Sequence, residues 1–225
     1  MKKTLKIILS GLLLVIPSAL ILLKTATSLS FYHVTQVKYL VSETTGIPQN
    51  ELDLVMEKLI NYTKGTDLSL DFDVTINQKP VAAFNEREIT HMVDVQKLYL
   101  NFRNLIYFSL FLGVLFLIYY HYKYQVTTDI LSEFSKVTLA LIIFVGFVAV
   151  FAWIDFYRFW YIFHELIFTN DLWLLDPNTD LLINLVPEPL FFSLVFKIII
   201  RISSYIIISN LVVLFINRKK GKVYD

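Results

Sequence analysis

Four apolar runs, each of span length, leave this chain few ways to fold. They cover Ile7–Leu23, Leu100–Tyr120, Val137–Phe156 and the stretch from Leu190 to Asn217. About 20 apolar residues in helical conformation cross a bilayer, because lipid offers nothing else for backbone N–H and C=O groups to bond. Over the 225 residues, 56% are hydrophobic and mean hydropathy is +0.60, well above a soluble domain. The expected fold class is an α-helical polytopic membrane protein: four transmembrane helices with a small extracytoplasmic α/β cap.

The chain divides accordingly. Residues 1–29 open with Met-Lys-Lys and close with Lys24-Thr25-Ala26-Thr27-Ser28, a pattern like a signal peptide. With three further spans downstream, it reads as a retained first transmembrane helix. Residues 30–99 form the extracytoplasmic cap and a helix extension. Within them, Pro48 and Gly65 bracket a helix over Gln49–Lys64, with Leu52, Val55, Met56, Leu59 and Ile60 on one stripe. Leu68, Leu70, Phe72, Val74 and Ile76 alternate with polar residues as in a half-buried strand, and Asn77-Gln78-Lys79-Pro80 reads as a turn. Residues 100–120 are the second transmembrane helix, 121–136 a cytoplasmic connection and 137–156 the third helix, expected to continue unbroken through Phe168. Residues 157–189 are an extracytoplasmic loop turning at Asp176-Pro177-Asn178-Thr179-Asp180. Pro187 and Pro189 mark the start of the fourth helix (190–217), and 218–225 is a cytoplasmic tail.

Basic residues set the orientation. Lys2, Lys3, Lys6, Lys123, Lys136, Arg218, Lys219, Lys220 and Lys222 lie on one side, against Asp129, Glu133 and Asp225. The positive-inside rule places that side, with both termini, in the cytoplasm.

The most informative short stretch is Phe84-Asn85-Glu86-Arg87-Glu88-Ile89-Thr90-His91-Met92-Val93-Asp94-Val95. Asn85 is a good N-cap, Glu88 holds the capping-box position, and Phe84 and Ile89 have hydrophobic-staple spacing. The helix it opens has no stop signal before the second span. His91 and Asp94 share a face, with Glu88 within reach. His91 is nine residues before Leu100, so a straight helix lifts it about 13 Å above the span. His164, eight residues beyond Phe156, comes out at about 12 Å on the same reasoning. Two imidazoles at one height on adjacent rods form the candidate catalytic pair. Glu88, Asp94 and Glu165 are candidates to orient them. Lys197 and Arg201, four apart near the outer end of the fourth span, are candidates to hold a lipid phosphate or an acidic group.

Blander readings compete. Either histidine suits an amphipathic helix in a small cap, Lys197 and Arg201 suit snorkelling, and His121 sits among interfacial tyrosines. Asp155 and Arg158 have ion-pair spacing, and Trp153, Trp160 and Trp173 fit an aromatic belt. Several chemistries drop out. Cysteine is absent, so there is no thiol nucleophile, disulfide or cysteine metal site. His164-Glu165-Leu166-Ile167-Phe168 lacks the second histidine of H-E-x-x-H, and neither a nucleophile elbow nor a P-loop is present. No metal or cofactor is expected. A net charge of +1 and the lack of a basic stripe give no support to nucleic-acid binding.

The stretch from Phe84 to Val95, Phe163-His164-Glu165 and the downstream Trp173, Asp180 and Pro187 resemble the lipoprotein intramolecular transacylase family of bacterial integral membrane proteins. The resemblance covers nearly the whole chain in length, span count and the sizes of its two outer segments. It implies diacylglyceryl-modified lipoproteins as substrates, within membrane lipid. It also implies transfer of the sn-2 acyl chain to the α-amine of the N-terminal cysteine, giving lyso-form lipoprotein, with His91 and His164 as the catalytic histidines. Imidazole has the right basicity to take a proton from an attacking amine, and holding amine and ester in one molecule replaces an acyl-enzyme. His91 is then expected as primary acid–base and His164 as its partner or oxyanion donor, with the two roles interchangeable as far as the sequence goes. A scaffold or receptor, or another lipid acyltransferase or hydrolase at the same interface, remains the alternative. Oligomeric state is left open.

Overall fold

The computed structural model describes residues 2–76, 79–124 and 133–221. Part of the expected 77–80 turn, half of the 121–136 connection and the end of the basic tail lie outside the described residues. The protein is mostly helical, and among the described residues four helices are long and apolar enough to span a membrane. These are α1 (Lys2–Ala26), α5 (Glu86–Tyr124), α6 (Phe134–Ile154) and α9 (Glu188–Gly221). With 39 residues, α5 is about 58 Å long, roughly twice a hydrocarbon core, so its charged first turns precede the apolar segment.

The chain forms two compact units. One comprises residues 1–23, 104–151 and 197–225. In it, Leu5 and Leu9 of α1 pack on Tyr120, and Leu14 packs with Phe134, Ile206 and Val213. Two hydrogen bonds knit this apolar bundle: Tyr205 donates to the Leu13 carbonyl at 2.6 Å, and Ser135 to Asn210 at 2.8 Å.

The other unit comprises residues 24–103 and 152–196. It holds α2 (Leu29–Lys38), α3 (Val41–Thr45), α4 (Gln49–Lys64), β1 (Asp73–Ile76), β2 (Lys79–Ala82), α7 (Phe156–Ile167) and α8 (Leu181–Leu185). The stripe of α4 faces inward as its spacing predicts: Leu52, Val55, Met56, Leu59 and Ile60 are all buried. Gly65 ends the helix in the left-handed conformation (φ 76°), which a residue with a Cβ adopts only at a cost. The expected strand over 68–76 is shorter. Leu70 and Val74 are buried but Leu68 is 94% exposed, and only Asp73–Ile76 pairs, antiparallel to β2 with Asp73 opposite Ala82. A two-stranded hairpin has one neighbour to bond, so the alternation extends beyond the ladder.

The third span does not continue unbroken to Phe168. It ends at Ile154, and Asp155 (φ −146°, ψ 87°) starts a new helix, α7. The Asp155 carboxylate accepts from the Arg158 backbone N–H at 2.9 Å, so its role at this spacing is an N-cap. His164 therefore stands on a separate helix, and the straight-rod height derived for it does not hold. Nor is 157–189 simply a loop, since it carries most of α7 and all of α8.

Candidate active site

The start of α5 is held by a reciprocal capping box. Asn85 Oδ1 accepts from the Glu88 N–H at 3.0 Å, and Glu88 Oε2 accepts from the Asn85 N–H at 2.8 Å. Glu88 does more than cap. Its Oε1 accepts from the Leu182 N–H at 2.6 Å, and Asn85 Nδ2 donates to Asp180 Oδ1 at 2.7 Å. The 176–180 turn thus closes onto the helix start, with Asp180 Oδ2 also accepting from its own turn at Asp176 N–H (2.7 Å). Glu88 is 1% exposed. Burial pushes its carboxyl above the ordinary carboxylate range, backbone donors pull it back, and Asp180 adds to the rise.

One turn further, His91 meets His164. The ring centroids are 6.4 Å apart, tilted by 37°. Both side chains are buried, at 7% and 6% exposure. The spacing of α7 supplies an aromatic surround, since Trp160 and Phe168 flank His164 at i−4 and i+4. Trp160 meets the imidazole edge-on at 4.5 Å and Trp173 stacks on it at 4.8 Å and 25°. Phe168 touches both rings, at 5.3 Å from His91 and 5.7 Å from His164.

Hydrogen bonding distinguishes the two imidazoles. His164 Nδ1 lies 2.8 Å from the Trp160 carbonyl. A carbonyl only accepts, so Nδ1 carries the proton and Nε2 of the neutral ring carries the lone pair. Among the described residues nothing bonds His91 Nδ1, which is buried. Burial holds the His91 pKa down to about 4, with His164 and Arg87 lowering it further and Asp94 opposing. Burial also lowers His164, against a rise from the Trp160 carbonyl. Both rings are neutral at neutral pH.

Asp94 accepts from Asn170 Nδ2 at 2.8 Å and lies 3.4 Å from Lys97; chiefly the Asn170 bond lowers its pKa. Asp94 also lines a cleft of about 230 Å³, open to solvent, with Lys97, Asn101, Phe168, Thr169 and Asn170 among others. Glu88 spends its carboxylate on Asn85 and Leu182. Glu165 is exposed and interacts with Tyr161. Lys197 and Arg201 belong to the other unit. Among the described residues no three histidine, aspartate or glutamate side chains converge as metal ligands.

Sequence reasoning missed Asn170, and it read Trp160 and Trp173 as belt residues and Asp180 as part of a turn, without their contacts at this site. The i−4 and i+4 neighbours of His164 were open to detection by helical spacing. The contacts of Asn170 and Asp180 gave no such sign, because their partners Asp94 and Asn85 lie 76 and 95 residues away in the chain.

A membrane-spanning helical fold with two buried, facing histidines defines a class: a polytopic membrane protein with a paired-imidazole site. A family model described as "Lipoprotein intramolecular transacylase Lit" matches residues 6–192, and the chain belongs to that family. No curated protein matches the sequence. Among solved structures, the lipoprotein intramolecular transacylase Lit from Bacillus cereus is similar at TM-score 0.80 and 22% identity, covering 99% of this chain and 98% of that one. Two further structures of the Bacillus cereus protein, with one histidine replaced by arginine or by alanine, align at TM-score 0.75 and 19% identity. They cover 99% of this chain and 95% and 96% of theirs.

Proposed function

We propose that this protein moves the sn-2 acyl chain of a diacylglyceryl-cysteine lipoprotein to the α-amine of the same cysteine, by acid–base catalysis on His91 and His164. The family description supports lipoprotein transacylation, and the facing imidazoles are the observation that carries the mechanism. His164, with Nδ1–H bonded to Trp160, presents a lone pair on Nε2. His91, whose buried Nδ1 has no partner among the described residues, is read as carrying its proton on Nε2 and donating from there, which complements the lone pair on His164. One ring is thus set to accept and the other to donate. This favours His164 as the base and His91 as the donor, the reverse of the order expected from the sequence.

In the reaction, His164 Nε2 takes a proton from the amine as its nitrogen attacks the ester carbonyl and the C–N bond forms. His91 donates to the oxyanion. The intermediate collapses with cleavage of the C–O bond, and the proton returns to the departing glycerol oxygen. One proton has moved from nitrogen to oxygen, with no external donor. The aromatic surround limits water, which would otherwise hydrolyse the ester. Both termini and the 121–136 connection lie in the cytoplasm and the histidines outside, where mature lipoproteins display their lipid.

The test is the mass of an abundant lipoprotein's N-terminal peptide from cells with and without this protein, in a background lacking the usual N-acyltransferase. An acyl chain on nitrogen with total acyl content unchanged is expected, and its loss in His91→Ala and His164→Ala. Loss of one acyl chain would mean a hydrolase, and an unchanged lipoprotein would favour a scaffold.

A further inference from the structure

The two imidazoles stand on different helices, α5 and α7, and one short segment touches both. Arg87, His91 and Asp94 lie on one face of α5. The dipeptide Asn170–Asp171 grips that face on either side of His91: Arg87 Nη2 donates to the Asp171 carbonyl, and Asn170 Nδ2 donates to Asp94 Oδ2 at 2.8 Å. Asn170 also shapes its own loop. Its Oδ1 accepts from the Leu172 N–H at 3.2 Å, and its backbone carbonyl accepts from Trp173 Nε1 at 2.9 Å. That indole is the one stacked on His164.

We propose that Asn170 is a positioning residue of the reaction. Its carboxamide holds the α5 turn following His91 and its backbone carbonyl holds the indole that stacks on His164, so this one residue sets the spacing and facing of the two rings. The inference rests on the reading above that these rings are the reacting pair. A loop bond with only a local role would leave the rings where they are; a positioning bond moves both.

The test uses the full-length protein in detergent with ¹⁵N-labelled histidine. Asn170→Asp keeps an acceptor for Leu172 but loses the donor and opposes Asp94 with a second carboxylate. Asp94→Ala removes the acceptor from the other side, and the double exchange of Asn170→Asp with Asp94→Asn restores one donor and one acceptor at unchanged total charge. The expected result is displaced imidazole signals for both His91 and His164 in each single variant, with His33 and His121 unmoved. Signals return in the double variant. With a diacylglyceryl lipopeptide, kcat falls at least about tenfold and KM stays within about twofold, since misplacement acts on the reacting geometry. Unmoved signals from either ring in a folded single variant would overturn the proposal, as would displaced signals that the double exchange fails to restore. Should one single variant fail to fold, the other reads the same bond. If the native protein transfers no acyl chain, the functional reading fails, and the ring signals still decide the role of Asn170.

Discussion

Glu88→Ala removes one carboxylate that answers two backbone N–H groups from different parts of the chain. Hydrogen bonds to a charged group contribute about 1.5–3 kcal/mol each, so the two to Asn85 and Leu182 carry roughly 3–6 kcal/mol gross. Two effects reduce this. The carboxylate's own burial is unfavourable, as its raised pKa reports, and removing it relieves repulsion from Asp180. The amides also regain some water. A net loss of about 2–3 kcal/mol remains, or about 5–10 °C in melting temperature for a chain of this size. Glu88→Gln retains one acceptor and turns an amide NH₂ toward the other N–H, so it falls between native protein and Glu88→Ala. Thermal unfolding in detergent by tryptophan fluorescence measures the order, and amide hydrogen exchange at Leu182 locates the loss. A Glu88→Ala protein melting within about 1 °C of native, with Leu182 exchange still slow, would refute this account of the clasp.

Three further outcomes are expected. The unfolded chain binds a proton on His91 near 6.5 and the folded protein only near about 4, so stability is complete above 6.5 and declines as pH falls toward 4. At about 1.4 kcal/mol per pH unit the loss is on the order of 3 kcal/mol, and melting of His91→Phe between pH 7 and 5 should be flatter than native. Trp173→Leu removes the ring stacked on His164 and should cost about 1–2 kcal/mol. It also admits water, so the His164 titration followed by NMR should move up toward its ordinary value. Asp155→Ala removes the cap of α7, and the exchange of its first amides should accelerate with a loss of about 1 kcal/mol.

Much of the fold was legible because its signals are local. Apolar run length announced the four long helices, Pro48 and Gly65 bracketed α4, and Asn85 with Glu88 marked the start of α5 by a motif complete within four residues. His91 and His164 were singled out by position along their helices, although the geometric argument for His164 assumed a continuous rod. Asp155 hid the break. Its spacing to Arg158 suits both an ion pair and a cap, and nothing else in an apolar run distinguishes them. The clasp between Glu88 and the 176–182 segment, and the grip of Asn170 on Asp94, were not readable. They depend on which loop the tertiary fold brings to α5, and no periodicity encodes that. Trp173 read as a membrane-belt residue for the same reason.

The most direct test of the central claim is an isotope crossover with the purified protein. Two diacylglyceryl lipopeptides are mixed in equal amount, one unlabelled and one carrying deuterated acyl chains and a heavy peptide, and product masses are read. Intramolecular transfer predicts N-acylated products in which every peptide keeps its own chains, and no product when His91 or His164 is alanine. Products pairing a heavy peptide with a light N-acyl chain, or free fatty acid in place of N-acylation, would contradict it.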